Sequence, residues 1–168
     1  KPDAGNEGTA VSDLKIGVVL LHNETVGYDE NFMIAVEAAC DELGMLVMDE
    51  NRHFGCDDIS LSQVENMIKR DRNHPSIIFW SMFNEEPLQS TQEGARIFKR
   101  MKQFTLNLDD SRFVVGAING QLEGTALEMD VAGLNYFLNQ ADIAHEKYPD
   151  MVILGSENNS AVTTRGCY

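Results

Sequence analysis

The sequence is short of the features that announce many common partners. Its three cysteines, Cys40, Cys56 and Cys167, fall at no metal-like spacing, and an odd count leaves at least one thiol unpaired within the chain. Cys40 lies in a helical pattern and reads as a small core residue. Basic residues are scarce: 13 Lys and Arg stand against 27 Asp and Glu, a formal net charge of -14. Nucleic acids and anionic membranes are recognised by basic patches, so neither is expected as a partner, whereas a neutral ligand such as a sugar is compatible with the charge. No apolar run approaches the ~20 residues of a membrane-spanning helix. The N-terminus, Lys1-Pro-Asp-Ala-Gly-Asn6, lacks the apolar core of a signal peptide, which leaves a periplasmic, extracellular or cytoplasmic location open. There is no glycine-rich phosphate loop and no defensible Ser-His-Asp arrangement. His53, His74 and His145 make no metal pattern, and His74, ahead of Pro75, reads as a turn residue.

What is present is an alternation of short apolar runs with helical patterns. The 168 residues are 43% hydrophobic and 24% charged, enough for one domain with a sizeable core. Leu14–Leu21 is a strand candidate ending at His22-Asn23. Residues 29–43 carry apolar side chains at helical spacing and stop at Gly44. Met45–Met48 is a second strand, followed by Asp49-Glu50. Ser60 or Ser62 is the expected cap of a helix running to about Arg70. Ile77–Trp80 is rich in β-branched and aromatic residues and reads as a strand buried on both faces. A helix over 90–108, strands at Phe113–Ile118 and Met129–Asn135, a helix near 138–147 and a last strand at Met151–Glu157 complete the order. Strand-helix repetition predicts parallel strands joined by right-handed crossovers with helices outside.

Polar residues cluster after these strands, which is the functional side of α/β barrels and sheets alike. Two buried strands each end in a glutamate, Glu85 and Glu157. Hydrolysis of a glycosidic bond needs a proton for the leaving oxygen and a carboxylate facing the anomeric carbon, and two such glutamates can supply both. Asn84 and His22 are candidates to hold sugar hydroxyls, and Tyr136 to orient Glu157. Trp80 offers an apolar face to a sugar ring, although its place inside the run also reads as core packing. Asp49 and Glu50 could hold a cation, but no third ligand is placed with them, so hydrogen-bonded roles are the simpler reading. Glu86 reads as a helix N-terminal residue.

Several separated motifs resemble glycoside hydrolase family 2, the β-galactosidase family. Ala39–Arg52 is similar to that family's third-strand region, and His22-Asn23 to the His-Asn after its second strand. Asn73–Glu85 resembles its fourth strand with the acid/base Asn-Glu, and Gly133–Tyr136 its sixth, with the tyrosine that supports the nucleophile. Gly155-Ser-Glu157, with Ser160-Ala-Val and Arg165-Gly166 beyond, resembles its nucleophile segment. The resemblance implies a (β/α)8 TIM-type barrel over residues 1–168, incomplete in its first strands and last strand. It implies retaining β-glycoside hydrolysis, with Glu85 as acid/base and Glu157 as nucleophile. His22, Asn23, Glu50, Asn84, Trp80 and Tyr136 fall on the substrate side. Sugar choice, among β-galactoside, β-glucuronide and β-mannoside, is set by loops and neighbouring domains. No organic cofactor is implied, and magnesium or sodium would come by family resemblance only. The other reading is a non-catalytic carbohydrate-binding barrel. Exposed strand edges would favour association into a homo-oligomer.

Overall fold

Strands buried on both faces must be covered, and among the described residues six strands follow one another in sequence order with helices between them. A computed structural model describes residues 18–22, 30–137 and 139–158. The strands are β1 (Val18–His22), β2 (Leu46–Glu50), β3 (Ile77–Asn84), β4 (Phe113–Ile118), β5 (Val131–Asn135) and β6 (Ile153–Glu157). All five pairings are parallel, and the sheet order is β1-β2-β3-β4-β5-β6. The crossovers carry α1 (Glu30–Leu43), α2 (Asp58–Asp71), α3 (Gln92–Leu108) and α4 (Gln140–Lys147), with a 3-10 turn at Gly124–Leu127 between β4 and β5. This is the strand-by-strand winding of a (β/α)8 barrel.

The two faces of the sheet are distinct. Met48, Val115 and Val131 pack together with Phe79 and Leu154 as the inner layer. The larger cluster, including Val47, Ile77, Trp80, Val64, Met67 and Phe98, fills the space between sheet and helices. Residues along β4 and the start of β5 alternate between these layers, as the pleat requires, whereas in β3 the register with β2 shifts between Ile77 and Phe79, which lie in different layers.

Local chemistry sets the helix boundaries. The cap of α2 is Asp57, whose carboxylate accepts from the Ile59 and Ser60 amides, rather than Ser60 or Ser62. A carboxylate is at least as good a cap as a serine and adds charge at the positive end of the helix dipole. Thr91 caps α3 by accepting from Gly94 N. Cys40 is buried and Cys56 is an exposed free thiol; Cys167 lies outside the described residues.

Trp80 requires a correction. It is fully buried, its indole Nε1 donates to Asp109 at 3.0 Å, and the Arg112 guanidinium lies 5.3 Å over its ring. On the outer face of β3, it packs the helical layer and offers no face to a sugar.

Candidate active site

Two local irregularities bring the carboxylates together. In β3, Phe79 lies in the inner layer, so strict alternation would turn Ser81 and Phe83 inward and Asn84 outward. The register with β4 shifts between Ser81 and Asn84. Phe83 instead sits in the outer core against Phe54 and Phe98, and Asn84 faces the inside. Re-aiming a side chain beside a site is a common use of a bulge. A second shift, between Leu134 and Asn135 of β5, sets Asn135 opposite Glu157 of β6 and passes over Ser156.

The residues that follow are held in left-handed backbone. Glu85 has φ 53° and Tyr136 φ 66°. Non-glycine residues occupy this region at a cost of order 1 kcal/mol or more, and persist there where the surroundings fix them. Here the Glu85 amide donates to Ala117 O at 2.9 Å, and the Tyr136 amide donates to Glu157 O at 2.6 Å.

Asn135 is the hub. Its Nδ2 donates to Asn84 Oδ1 at 2.8 Å, Glu85 Oε1 at 2.8 Å and Glu157 Oε1 at 3.1 Å. One amide nitrogen has two hydrogens, so at least one of these is shared between acceptors. The Ser156 hydroxyl donates to Asn135 Oδ1 at 2.6 Å, which locks the amide with its nitrogen toward the carboxylates. Asn135 is fully buried, and its acceptors Asn84, Glu85 and Glu157 are half-buried, so the cluster stands at the edge of the core. Glu157 accepts a second bond, from the Tyr136 hydroxyl. That bond, then desolvation, then the charges of Glu157 and Glu85 push the Tyr136 phenol up to about 12. Tyr136 therefore stays a donor throughout the neutral range.

Of the residues the sequence singles out, Glu85, Glu157, Asn84 and Tyr136 meet at this cluster. Glu50 is fully buried and accepts from Ser81 Oγ at 2.8 Å. His22 ends β1 in register with Glu50; Asn23 lies outside the described residues. Sequence reasoning missed Asn135 and Ser156. Asn135 stands inside the quoted Gly133–Tyr136 motif, but a strand-terminal asparagine reads equally well as a turn residue. Arg52 was also missed: its Nη1 donates to Asn84 O at 3.1 Å, which links the end of β2 to the end of β3.

Among the described residues, the group of three His, Cys, Asp or Glu side chains close enough to share a metal ion is Glu37, Asp71 and His74, away from this pair. A cleft of about 350 Å³ beside α4, lined by Leu122, Ile143, Ala144 and Tyr148 among others, has no convergent carboxylates.

Known proteins share this architecture. The family described as "Glycosyl hydrolases family 2, TIM barrel domain" matches residues 55–157. The β-galactosidase BoGH2A of Bacteroides ovatus is 28% identical, over 77% of this chain and 21% of its own length. The β-glucuronidase of Canis lupus familiaris is 32% identical, over 63% of this chain and 18% of its own. A crystal structure of a glycosyl hydrolase family 2 member from Bacteroides cellulosilyticus superposes with a TM-score of 0.65 at 35% identity, covering 71% of this chain and 17% of that one. The chain thus spans about a fifth of the length of these relatives. With the profile matching well over half of its residues and the strand order of the barrel in place, the chain belongs to glycoside hydrolase family 2 and carries that family's TIM barrel domain.

Proposed function

We propose that Glu85 and Glu157 are the catalytic pair of a retaining β-glycosidase, with a β-galactoside as the first substrate to test. The observation that carries this reading is the single Asn135 nitrogen bonded to both carboxylates. Two oxygens that share one donor are no farther apart than those two bonds laid end to end. That suits the ~5–5.5 Å of a retaining pair and is short of the ~6.5–9.5 Å that an inverting pair needs to admit a water.

The roles follow from what each carboxylate touches. Glu157 is held by two donors, Asn135 and Tyr136, in one orientation, as an attacking group requires. It attacks the anomeric carbon, and a glycosyl ester forms as the glycosidic C–O bond breaks. Glu85 gives its proton to the departing oxygen. Water then enters, Glu85 takes one of its protons, and the hydroxide oxygen displaces Glu157 from the anomeric carbon. Asn135 follows both carboxylates through this exchange of charge and limits their movement.

The relatives bear on the sugar: one is named a β-galactosidase, others β-glucuronidases. Galactoside is placed first because the relative so named aligns over the largest share of this chain among these. Hydrolysis of nitrophenyl β-D-galactoside by the chain is the test, beside Glu85→Gln and Glu157→Gln. Both substitutions are expected to lower kcat by about 10³-fold or more, a loss in line with removing a covalent or acid/base group. A folded chain that is silent on β-galactoside, β-glucuronide and β-mannoside alike would overturn the catalytic reading and leave a carbohydrate-binding barrel.

A further inference from the structure

On the outer face of the sheet, away from the carboxylate pair, three elements bury acidic groups against one another. Glu37 of α1, Asp49 of β2 and Asp71 at the end of α2 are all completely buried. Both oxygens of Asp71 accept from the neighbouring Arg70 guanidinium, whose charge also reaches Glu37 and Asp49. Both oxygens of Glu37 and both of Asp49 lack a hydrogen-bond donor among the described residues. Four carboxylate oxygens without a donor in a dry interior are costly, and one guanidinium offsets only part of the charge of three acids.

The turn before β3 supplies a nitrogen. His74 Nδ1 lies 2.7 Å from Asp41 Oδ2, and Asp41 Oδ1 accepts from the Ser76 amide at 2.9 Å. Since an ionised carboxylate only accepts, His74 Nδ1 is the donor there, and in the neutral ring Nε2 then carries a lone pair. That Nε2 lies 3.5 Å from Glu37 Oε2, too far for a good hydrogen bond. A neutral ring and an ionised Glu37 would set two acceptors across this gap; burial and the charge of Asp71 hold the Glu37 carboxyl up to about 7, so a proton or a cation can fill it. The donor atoms of Glu37, Asp71 and His74 all lie within 4.8 Å of one another, so that small side-chain movements would bring them ~2.0–2.3 Å from a common centre. Asp41 holds the imidazole from behind, as carboxylates commonly hold metal-ligating histidines. His74 is half-buried and gives a route in from solvent.

We propose that Glu37, Asp71 and His74, with Asp49 beside them, form a site for one divalent cation. One imidazole nitrogen among carboxylates favours zinc or manganese over calcium, which prefers an all-oxygen shell. The ion would fasten α1, β2, α2 and the turn into β3. It lies behind the sheet on the helix side, from the turn before β3 to Asp49 opposite Trp80, and not on the inner face with Glu85, so it acts on the fold and not on the reaction. Sequence spacing gives no hint of it, because the donors are brought together from 37, 49, 71 and 74.

The test is binding, not turnover, so its outcome is independent of the glycosidase reading. The 168-residue chain is stripped with a chelator, dialysed and titrated calorimetrically with Zn²⁺ and Mn²⁺ alone. One ion per chain is expected, with affinity weakened at least tenfold in Glu37→Gln and in His74→Asn, and unchanged in Cys56→Ser, which removes the exposed thiol. No saturable binding, or affinity that follows Cys56 instead of Glu37 and His74, overturns the site and leaves protons shared among the carboxylates as the occupants. Should both variants fail to fold, the Co²⁺ complex of the unsubstituted chain decides. A visible spectrum of nitrogen and oxygen ligation supports the site, and a thiolate charge-transfer band or no bound Co²⁺ overturns it.

Discussion

At the residue scale, the site is built by one asparagine and one tyrosine aimed at glutamates from other strands. The Tyr136 hydroxyl holds Glu157, and the same bond holds the phenol up to about 12. The linkage sign follows. A tyrosine whose folded pKa lies above its ordinary 10.0 contributes stability that is complete below pH 10 and lost as pH rises through about 12. Tyr136→Phe removes the donor and keeps the ring. On an aryl β-glycoside it is expected to lower kcat by about 10²-fold, the scale of losing one preorganised donor, with KM changed only a few-fold. Its alkaline unfolding, followed from pH 9 to 12, should lose the steepening that the parent shows. A Tyr136→Phe enzyme with unaltered kcat would remove Tyr136 from the machinery. Asn135 acts on both glutamates at once, which is why its position, invisible to a search for acid pairs, matters as much as theirs.

At the scale of the elements, the strand ends do the positioning, and here the sequence was partly legible. Long apolar runs such as Ile77–Trp80 announce strands buried on both faces, and each of the strand candidates within the described residues overlaps an observed strand. The acidic ends of β3 and β6 were legible for the same reason: a charge that ends an apolar run marks where the strand leaves the core. The bulges were not legible. A strand that is apolar on both faces has no alternation to break, so nothing in Ser81–Asn84 says which way Asn84 turns. The orphan acids on the outer face were hidden similarly, since Asp49 lies beside Glu50 in sequence yet on the other face of the sheet. Gly133 gives the sharpest test of this packing. A Cβ there would lie 2.7 Å from Gly116 O and 3.0 Å from Ser156 Oγ. The first contact is backbone and cannot rotate away, and the second is the hydroxyl that orients Asn135. Gly133→Ala is therefore expected to cost about 1–3 kcal/mol in urea unfolding, as overpacking does, and to lower kcat beyond what the lost stability explains. A variant as stable and as active as the parent would show that β4 and β5 are less closely apposed than described.

At the scale of the whole molecule, the six strands do not share their burdens equally. β4 and β5 have strands on both sides and are buried almost throughout, whereas every residue of β6 is only half-buried and β6 pairs with β5 alone among the described residues. Glu85, the proposed acid/base, follows the central strand β3, and Glu157, the proposed nucleophile, ends β6. Opening free energy tracks buried contacts and protected backbone bonds, so the two catalytic groups should sit on parts of different local stability. Hydrogen exchange read by mass spectrometry is expected to be slowest in peptides covering β4 and β5 and measurably faster over 153–157. A galactose-configured iminosugar, which places a cation between the two carboxylates, is expected to slow exchange in β6 more than in β3, because β6 has more freedom to lose. Equal exchange in β4 and β6 without ligand would mean that β6 is covered by more than its pairing with β5, and the nucleophile would then be as firmly seated as the acid. Unequal exchange that the ligand levels would place the last step of active-site assembly at the β5–β6 pairing, where Asn135 and Glu157 face each other.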